Sequence, residues 1–369
     1  MKKVAEKLLK LADIEINGNR PWDIQVKNEK LYQRILSGGS LALGESYMDG
    51  WWECEAIDQM IDKLLRANLQ EKIRISPDVI WNVVKAKMLN MQTRSRSKIV
   101  GEQHYDVGNE LYKKMLDKNM CYSCGYWKEA NNLDDAQEAK LDLICKKLKL
   151  KSGMTVLDIG CGWGSFAKFA TEKYGAKVVG VTISKEQKKF AEERCKGLDV
   201  EIRLQDYRDV NEKFDRILSI GMFEHVGYKN YRNYFEIVDN CLKDDGLTLL
   251  HTIGSKETGG IAGDPWLAKY IFPGGALPSV YQIAGVADKL FRMEDWHNFG
   301  SYYDLTLMQW HKNFNESWDE IKGDYDERFF RMWNYYLLVC VATFRSRNTQ
   351  LWQVVFAKLD SGEKYESLR

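Results

Sequence analysis

VLDIGCGWGSFAKFA, residues 156–170, decides the fold class. It sets Gly160, Gly162 and Gly164 directly after a run short and apolar enough for a buried strand and directly before a helical stretch. Glycines at such a junction let the backbone turn tightly and approach a ligand, whose polar groups meet the unpaired N–H donors of the helix N-terminus. The Gly-x-Gly-x-Gly spacing, with Asp158 just before it, is not the wider dinucleotide fingerprint. Asp158 at the carboxyl end of the strand can receive the ammonium group or ribose of S-adenosylmethionine, a cofactor without a pyrophosphate.

Outward from this junction the same rhythm repeats. MTVLDIG, AKVVGVTIS, VEIRLQD, DRILSIG and LTLLHTIG are five β-branched or apolar runs of strand length, and FAKFATEKY, KEQKKFAEERC and YRNYFEIVDNCL lie between them. Strand alternating with helix predicts a mainly parallel sheet covered on both faces. FRMEDWHNFG and LWQVVFAKL supply two further strands near the C-terminal end. The second strand ends in Thr182, with Gln187 beyond it, where many nucleotide sites place an acidic residue for the ribose, so ribose contact falls to neutral side chains or to groups elsewhere. Gln205, Asp206 and Tyr207 close the third strand with an amide, a carboxylate and a ring for an adenine. GMFEHVG and HTIG put Glu224, His225 and His251 at the same carboxyl edge, where ligands of open α/β sheets sit. His225 and His297 read as buried structural residues, whereas the position of His251 favours a role in the site.

Before this half, residues 5–69 read as short helices broken by turns at Asn17-Gly18-Asn19 and Gly38-Gly39. From Asp78 to Glu102 no acidic residue intervenes, and Lys85, Lys87, Arg94, Arg96 and Lys98 fall among Ile80, Trp81, Val83, Val84, Met88, Leu89 and Met91. That mixture suits an anionic lipid surface, and a solvated helix and linker accounts for it as well. The expected division is a helical domain over 1–92, a linker over 93–105 around TRSRSK, and a catalytic domain over 106–369.

With 369 residues and 44% hydrophobic content the chain can bury a substantial core. Lys+Arg at 54 against Asp+Glu at 53 leaves a net charge of +1, which removes the global electrostatic case for a nucleic-acid binder. MKKVAEKLLKLADIEING interrupts every apolar run with charge, so no signal-peptide core forms and a cytoplasmic location is expected. No window reaches about 18 consecutive apolar residues, so membrane work falls to the surface. The eight cysteines are scattered as reduced thiols are. Cys121 and Cys124 form a lone C-x-x-C, too little for a metal site in a chain with five histidines.

Taken together, LGESYMDGWWEC, EQHYDVGN (102–109), YSCGYW, VLDIGCGWG, GVTISKEQ, QDYRDV, SIGMFEHVG, LLHTIGS, PWLAKYIFPGG, MEDWHNFG and FRSRNTQLWQVVF resemble the cyclopropane-fatty-acyl-phospholipid synthases, bacterial enzymes related to the mycolic acid cyclopropane synthases. The resemblance covers nearly the whole chain. It implies a class I, Rossmann-like S-adenosylmethionine-dependent methyltransferase with a seven-stranded, mainly parallel sheet and a small helical N-terminal domain. It also implies methyl transfer to the cis double bond of acyl chains in membrane phospholipids, with bound bicarbonate as the base. Matched motif to motif, Cys124, Glu224, His251, Ile253 and Tyr303 would form the anion pocket, Cys124 and Ile253 through backbone groups, while Tyr122 and Ser123 would join the cofactor site. Cys340 lies in a family segment and has been considered as a nucleophile; its apolar surroundings make it structural here. A homodimer docked through its N-terminal unit at the inner face of the bacterial membrane is the family expectation. GSKETGGIAGDPWLAKYIFPGGALPS reads as a long loop over an acyl channel or as an ordinary surface insertion, and Trp127, Tyr270 and Phe272 offer rings to a cation or to the core. Two other readings keep the glycine loop: a methyltransferase acting on another lipid, a small molecule, protein or RNA, and a cofactor-binding lipid sensor without catalysis.

Overall fold

The period-two pattern of the strand runs becomes two cores on opposite faces of one sheet. Leu157, Ile159, Ile217, Leu250, Val354 and Phe356 point to one core with Phe223, Tyr231, Tyr234 and Phe235. Their neighbours Val156, Leu218, Leu249 and Val355 point to the other, with Leu141, Ile144, Phe166 and Ala170. The structure, a computed structural model, describes residues 2–68, 108–258, 264–362 and 364–369. The basic stretch with Lys85, Lys87, Arg94 and Arg96, and most of EQHYDVGN, lie outside the described residues.

Compactness divides the chain into two units, and the division is interleaved rather than the contiguous one expected. The first takes residues 2–68, 264–273 and 303–349 among those described. Its helices Lys2–Leu11, Leu31–Met48 and Ile57–Arg66 are joined by a small antiparallel ribbon of β1 (Gln25–Val26) and β2 (Trp52–Glu53). The predicted break at Gly38-Gly39 is a kink inside the second helix, with Gly39 at φ 57°. Gly44 lies so close under Trp266 that a Cβ there would meet the indole at 2.4 Å, which accounts for the glycine in LGESYMDG. The long helix Glu327–Arg345 brings Tyr335 against Trp52, Tyr47 and Trp266, and Arg345 pairs with Asp304 at 2.8 Å and with Asp58. These long-range contacts tie distant segments into one unit.

The second unit takes residues 108–258, 274–302 and 350–369 among those described. It holds β3 (Thr155–Ile159), β4 (Lys177–Thr182), β5 (Val200–Leu204), β6 (Phe214–Ile220), β7 (Leu242–Ser255), β8 (Phe291–Asn298) and β9 (Thr349–Lys358) in the order β5-β4-β3-β6-β7-β9-β8. All seven predicted strands are present. β3 to β7 run parallel to their neighbours and β8 pairs antiparallel with β9. Helices Ser165–Tyr174, Lys185–Arg194 and Tyr231–Cys241 occupy the predicted crossovers. Strand order reverses between β3 and β6, so the ends of β3, β4, β5 and β6 open onto the crevice where such sheets bind ligands.

One expectation needs correction. Part of the proposed long loop is the helix Pro265–Tyr270, because Asp264 accepts from the N–H groups of Trp266 and Leu267 and proline at the first turn needs no donor partner.

Candidate functional site

The cavity of the second unit opens at the carboxyl ends of β3 to β6, and ten of the eleven residues assigned to the cofactor line it: Tyr122, Ser123, Asp158, Gly160, Gly162, Thr182, Gln187, Gln205, Asp206 and Tyr207. At Gly162, with φ 54°, a Cβ would meet nothing within 4 Å, so the backbone itself faces open space. Gly164 is the exception. It ends the loop at φ 76° and packs against Ala191 and Cys195, so its contribution is the close approach of helix to helix rather than ligand contact.

Segment 119–124 is fixed beside the glycine loop by polar side chains. Arg194 donates to Asn119 O at 2.8 Å, Ser165 Oγ to Met120 O at 3.1 Å, and Gln137 Nε2 to Ser123 O at 2.7 Å. The Cys121 N–H donates to Asp117 at 2.7 Å. Tyr122 packs on Tyr112, and both rings pack on Trp163, whose Nε1 donates to Asn109 at 3.0 Å. Lys140, buried on the helix Leu133–Lys147, donates to Ser123 Oγ at 2.9 Å and lines the cavity. Sequence reasoning missed it, although the signal existed. Gln137, Lys140 and Lys147 stand at buried positions among Leu133, Ala136, Leu141 and Ile144, where an amphipathic helix should be apolar.

Asp158 is buried at the end of β3, and burial pushes its carboxyl up to about 7 against the opposing attraction of Lys140. A cationic ligand would pull it back toward the ionised form. At the end of β4, Thr182 Oγ1 donates to Gln187 Oε1 at 3.0 Å, and the Gln187 N–H donates to Ser184 Oγ at 3.3 Å. The neutral pair predicted for the ribose is thus held ready by its neighbours. Asp206 accepts from Arg208 Nε at 2.8 Å, a cation the sequence had not placed. Tyr207 packs against Tyr234, which packs in turn on Phe223. His225 lines the same cavity, and burial pushes its imidazole down to about 4.

A second corner lies at the carboxyl ends of β6 and β7. Ile220 pairs with His251, and the Gly221 N–H, on the cavity wall, donates to His251 O at 2.9 Å. Glu224, in the 3₁₀ turn Phe223–His225, accepts the Ile253 N–H on Oε1 at 2.7 Å. His251 and Ile253 are two residues apart on one strand and their side chains share a face, so Glu224 is bonded to the strand that carries His251. Glu224 Oε2 and His251 Nε2 are buried with no hydrogen-bond partner among the described residues. Burial pushes Glu224 up to about 7 in spite of the Ile253 N–H, and drives His251 well below the usual imidazole range, helped by the Lys140 and Lys147 charges.

Cys124 is fully buried and its thiol donates to Gly125 O at 3.3 Å. Two residues on, Tyr126 packs edge-on to Phe299, whose ring packs on His251. His297 neighbours the same rings and lies 3.1 Å from Lys147 Nζ, with burial pushing it down to about 4. Tyr303 belongs to the first unit, buried against Phe344 and Trp310. Cys340 lies on the helix Glu327–Arg345 of that unit, and burial with the Asp264 charge pushes its thiol up, away from nucleophilic use. Tyr270 donates to Glu45 at 3.0 Å and Phe272 packs on Tyr336 within the same unit.

Comparison with known proteins agrees with this fold. The profile of the family described as mycolic acid cyclopropane synthetase matches residues 92–354. The chain is 56% identical over 356 residues to the cyclopropane-fatty-acyl-phospholipid synthase of Escherichia coli K12, covering 96% of this chain and 93% of that protein. The cyclopropane synthase MmaA2 from Mycobacterium tuberculosis superposes with a TM-score of 0.67 at 32% identity, over 71% of this chain and 98% of that one. The mycolic acid cyclopropane synthase CmaA1, solved in complex with SAH and CTAB, does so with a TM-score of 0.67 at 31% identity and the same coverage, 71% and 98%.

Proposed function

The chain belongs to the mycolic acid cyclopropane synthetase family and is an S-adenosylmethionine-dependent methyltransferase, and from that premise we propose that it turns cis double bonds in the acyl chains of membrane phospholipids into cyclopropane rings. The observation that carries this reading beyond simple methyl transfer is the pair of buried atoms Glu224 Oε2 and His251 Nε2, both without a hydrogen-bond partner among the described residues, with His225, next to Glu224, on the cavity wall.

S-Adenosylmethionine, when bound, supplies a methyl group on a sulfonium. The π electrons of the alkene form the new carbon–carbon bond as the sulfur–carbon bond breaks, its pair staying on sulfur. The former methyl group then loses a proton and the ring closes, for a net gain of one methylene. An alkene is a weak nucleophile, so the site contributes by positioning and by keeping water from the cation. Asp158 and Lys140 present opposite charges to the two ends of an amino acid. Thr182, Gln187 and Gln205 present neutral partners to the ribose and base.

Bicarbonate, held by Glu224, His251 and the Ile253 and Cys124 backbone, would supply the base. The residues fit such a guest. A neutral imidazole can donate one N–H, and a carboxyl already raised to about 7 moves further up beside an anion and donates its proton. Tyr303 is the member assigned by resemblance alone. Cys340 has no chemical role in this scheme.

A homodimer and a location at the inner face of the cytoplasmic membrane belong to the same proposal. No helix among the described residues is long and apolar enough to cross a bilayer. Neutralising Lys85, Lys87, Arg94 and Arg96 together should weaken sedimentation with anionic vesicles, most at low salt. The reaction is tested by incubating the protein with labelled S-adenosylmethionine and unsaturated phospholipid vesicles, with and without bicarbonate. Label in the lipid that depends on bicarbonate supports the proposal, and label independent of it points to another lipid methyltransferase.

A further inference from the structure

We propose that Gln353 is a positioning residue that fixes the tautomer of His251, so that Nε2 carries the proton and faces the anion pocket; this rests on the anion-pocket reading above. Gln353 is the one polar side chain in the run LWQVVFA, residues 351–357, all buried. It lies on β9, next to β7 in the sheet, and is fully buried there. Its Nε2 is 3.3 Å from His251 Nδ1, and its Oε1 has no partner among the described residues. A buried amide with a polar atom left unpaired is costly. An apolar residue would fill the strand without that cost, so packing does not explain the amide.

The chemistry of the imidazole does. Burial disfavours the charged form of His251, and the cations Lys140 and Lys147 act on it in the same sense from the helix Leu133–Lys147. The ring is therefore neutral and has a single N–H to place on one of two nitrogens. An amide NH₂ facing Nδ1 needs a lone pair there, which puts the proton on Nε2. Nε2 is the ring atom left without a partner among the described residues, and His251 lies two residues from Ile253, whose N–H Glu224 accepts. The opposite tautomer would turn a lone pair toward an anion and repel it. Phe299 packs edge-on against the same ring, centroids 5.9 Å apart. Gln353 thus acts through His251 without touching the reacting atoms, as outer partners of ligating histidines do.

The test reads the tautomer directly. With ¹⁵N-histidine in the full chain, long-range proton–nitrogen spectra distinguish the two tautomers of His251, assigned by the signal lost in His251→Asn. The wild type should show the Nε2–H form with or without bicarbonate. Gln353→Met, which keeps the volume of the side chain, should give a mixture of tautomers. It should also lower kcat by about 10- to 100-fold while leaving S-adenosylmethionine affinity unchanged. Gln353→Glu should reverse the preference toward Nδ1–H, and Gln353→Asn should keep part of it. A wild-type Nδ1–H form, or a Gln353→Met spectrum identical to wild type, overturns the proposal. A tautomer that follows residue 353 in a protein whose turnover ignores bicarbonate leaves the positioning role standing and removes the anion reading instead.

Discussion

Asp158 and Glu224 are two buried carboxyls at neighbouring strand ends of one sheet, both raised to about 7 by burial, and their surroundings ask for opposite guests. Asp158 shares its cavity with Lys140 and open backbone, so a positive ligand completes it. Glu224 accepts the Ile253 N–H on Oε1 and keeps Oε2 without a hydrogen-bond partner among the described residues, and burial keeps His251, two residues from Ile253 along the strand, neutral. What completes that corner is a proton and an acceptor, as a protonated carboxyl beside an anion provides. In the proposed reading the same desolvation prepares a cation site at the end of β3 and an anion site after β6.

The largest way to break this contrast is Glu224→Gln, expected to lower turnover by about 10²- to 10⁴-fold with S-adenosylmethionine affinity unchanged. Equal losses in both would merge the two corners into one. Asp295 supplies a third buried carboxyl as a control. Burial opposes its ionisation, but Arg369 at 2.6 Å and Lys147 at 3.0 Å hold it below the usual carboxylate range. Asp295→Ala should cost about 3–5 kcal/mol in urea unfolding by stranding Lys147, whose ammonium burial already pushes down to about 8. Asp158→Asn should weaken cofactor binding by about 10- to 100-fold in calorimetry and leave the folded state intact.

Protonation gives a finer separation. In the proposed reading Asp158 binds a cation as carboxylate, so cofactor affinity should fall by up to about tenfold per pH unit as pH drops below about 7. Because Glu224 tolerates an anion as the neutral acid, bicarbonate affinity should fall by a similar factor per unit as pH rises above about 7. Titrations that shift in the same direction would contradict the distinction. Cys340→Ala, the smallest effect, should leave turnover unchanged in the label-transfer assay.

The two corners also differ in how far they could be read from sequence. Asp158, the glycines, Thr182, Gln187 and Gln205-Asp206-Tyr207 follow strands with strong local signals, and the sheet edge collects them by topology alone. Glu224 and His251 are legible as edge residues, but the bond from Glu224 to the Ile253 N–H depends on a crossover of 29 residues. Lys140 and Gln353 are farther still, each a polar residue inside an apolar pattern whose purpose appears only when a distant segment packs on it. The division into units was hidden for the same reason. Residues 303–349 join the N-terminal helices through pairs such as Arg345 with Asp58, which no local period encodes.

The central claim is that Glu224 and His251 hold an anion needed after the cofactor has given up its methyl group. Mass analysis of phospholipids from bicarbonate-depleted and bicarbonate-supplemented reactions, run with wild type and Glu224→Gln, tests it most directly. The account predicts acyl chains heavier by one methylene only with wild type plus bicarbonate. Equal yields of that product in the depleted reaction, or from Glu224→Gln, would contradict it.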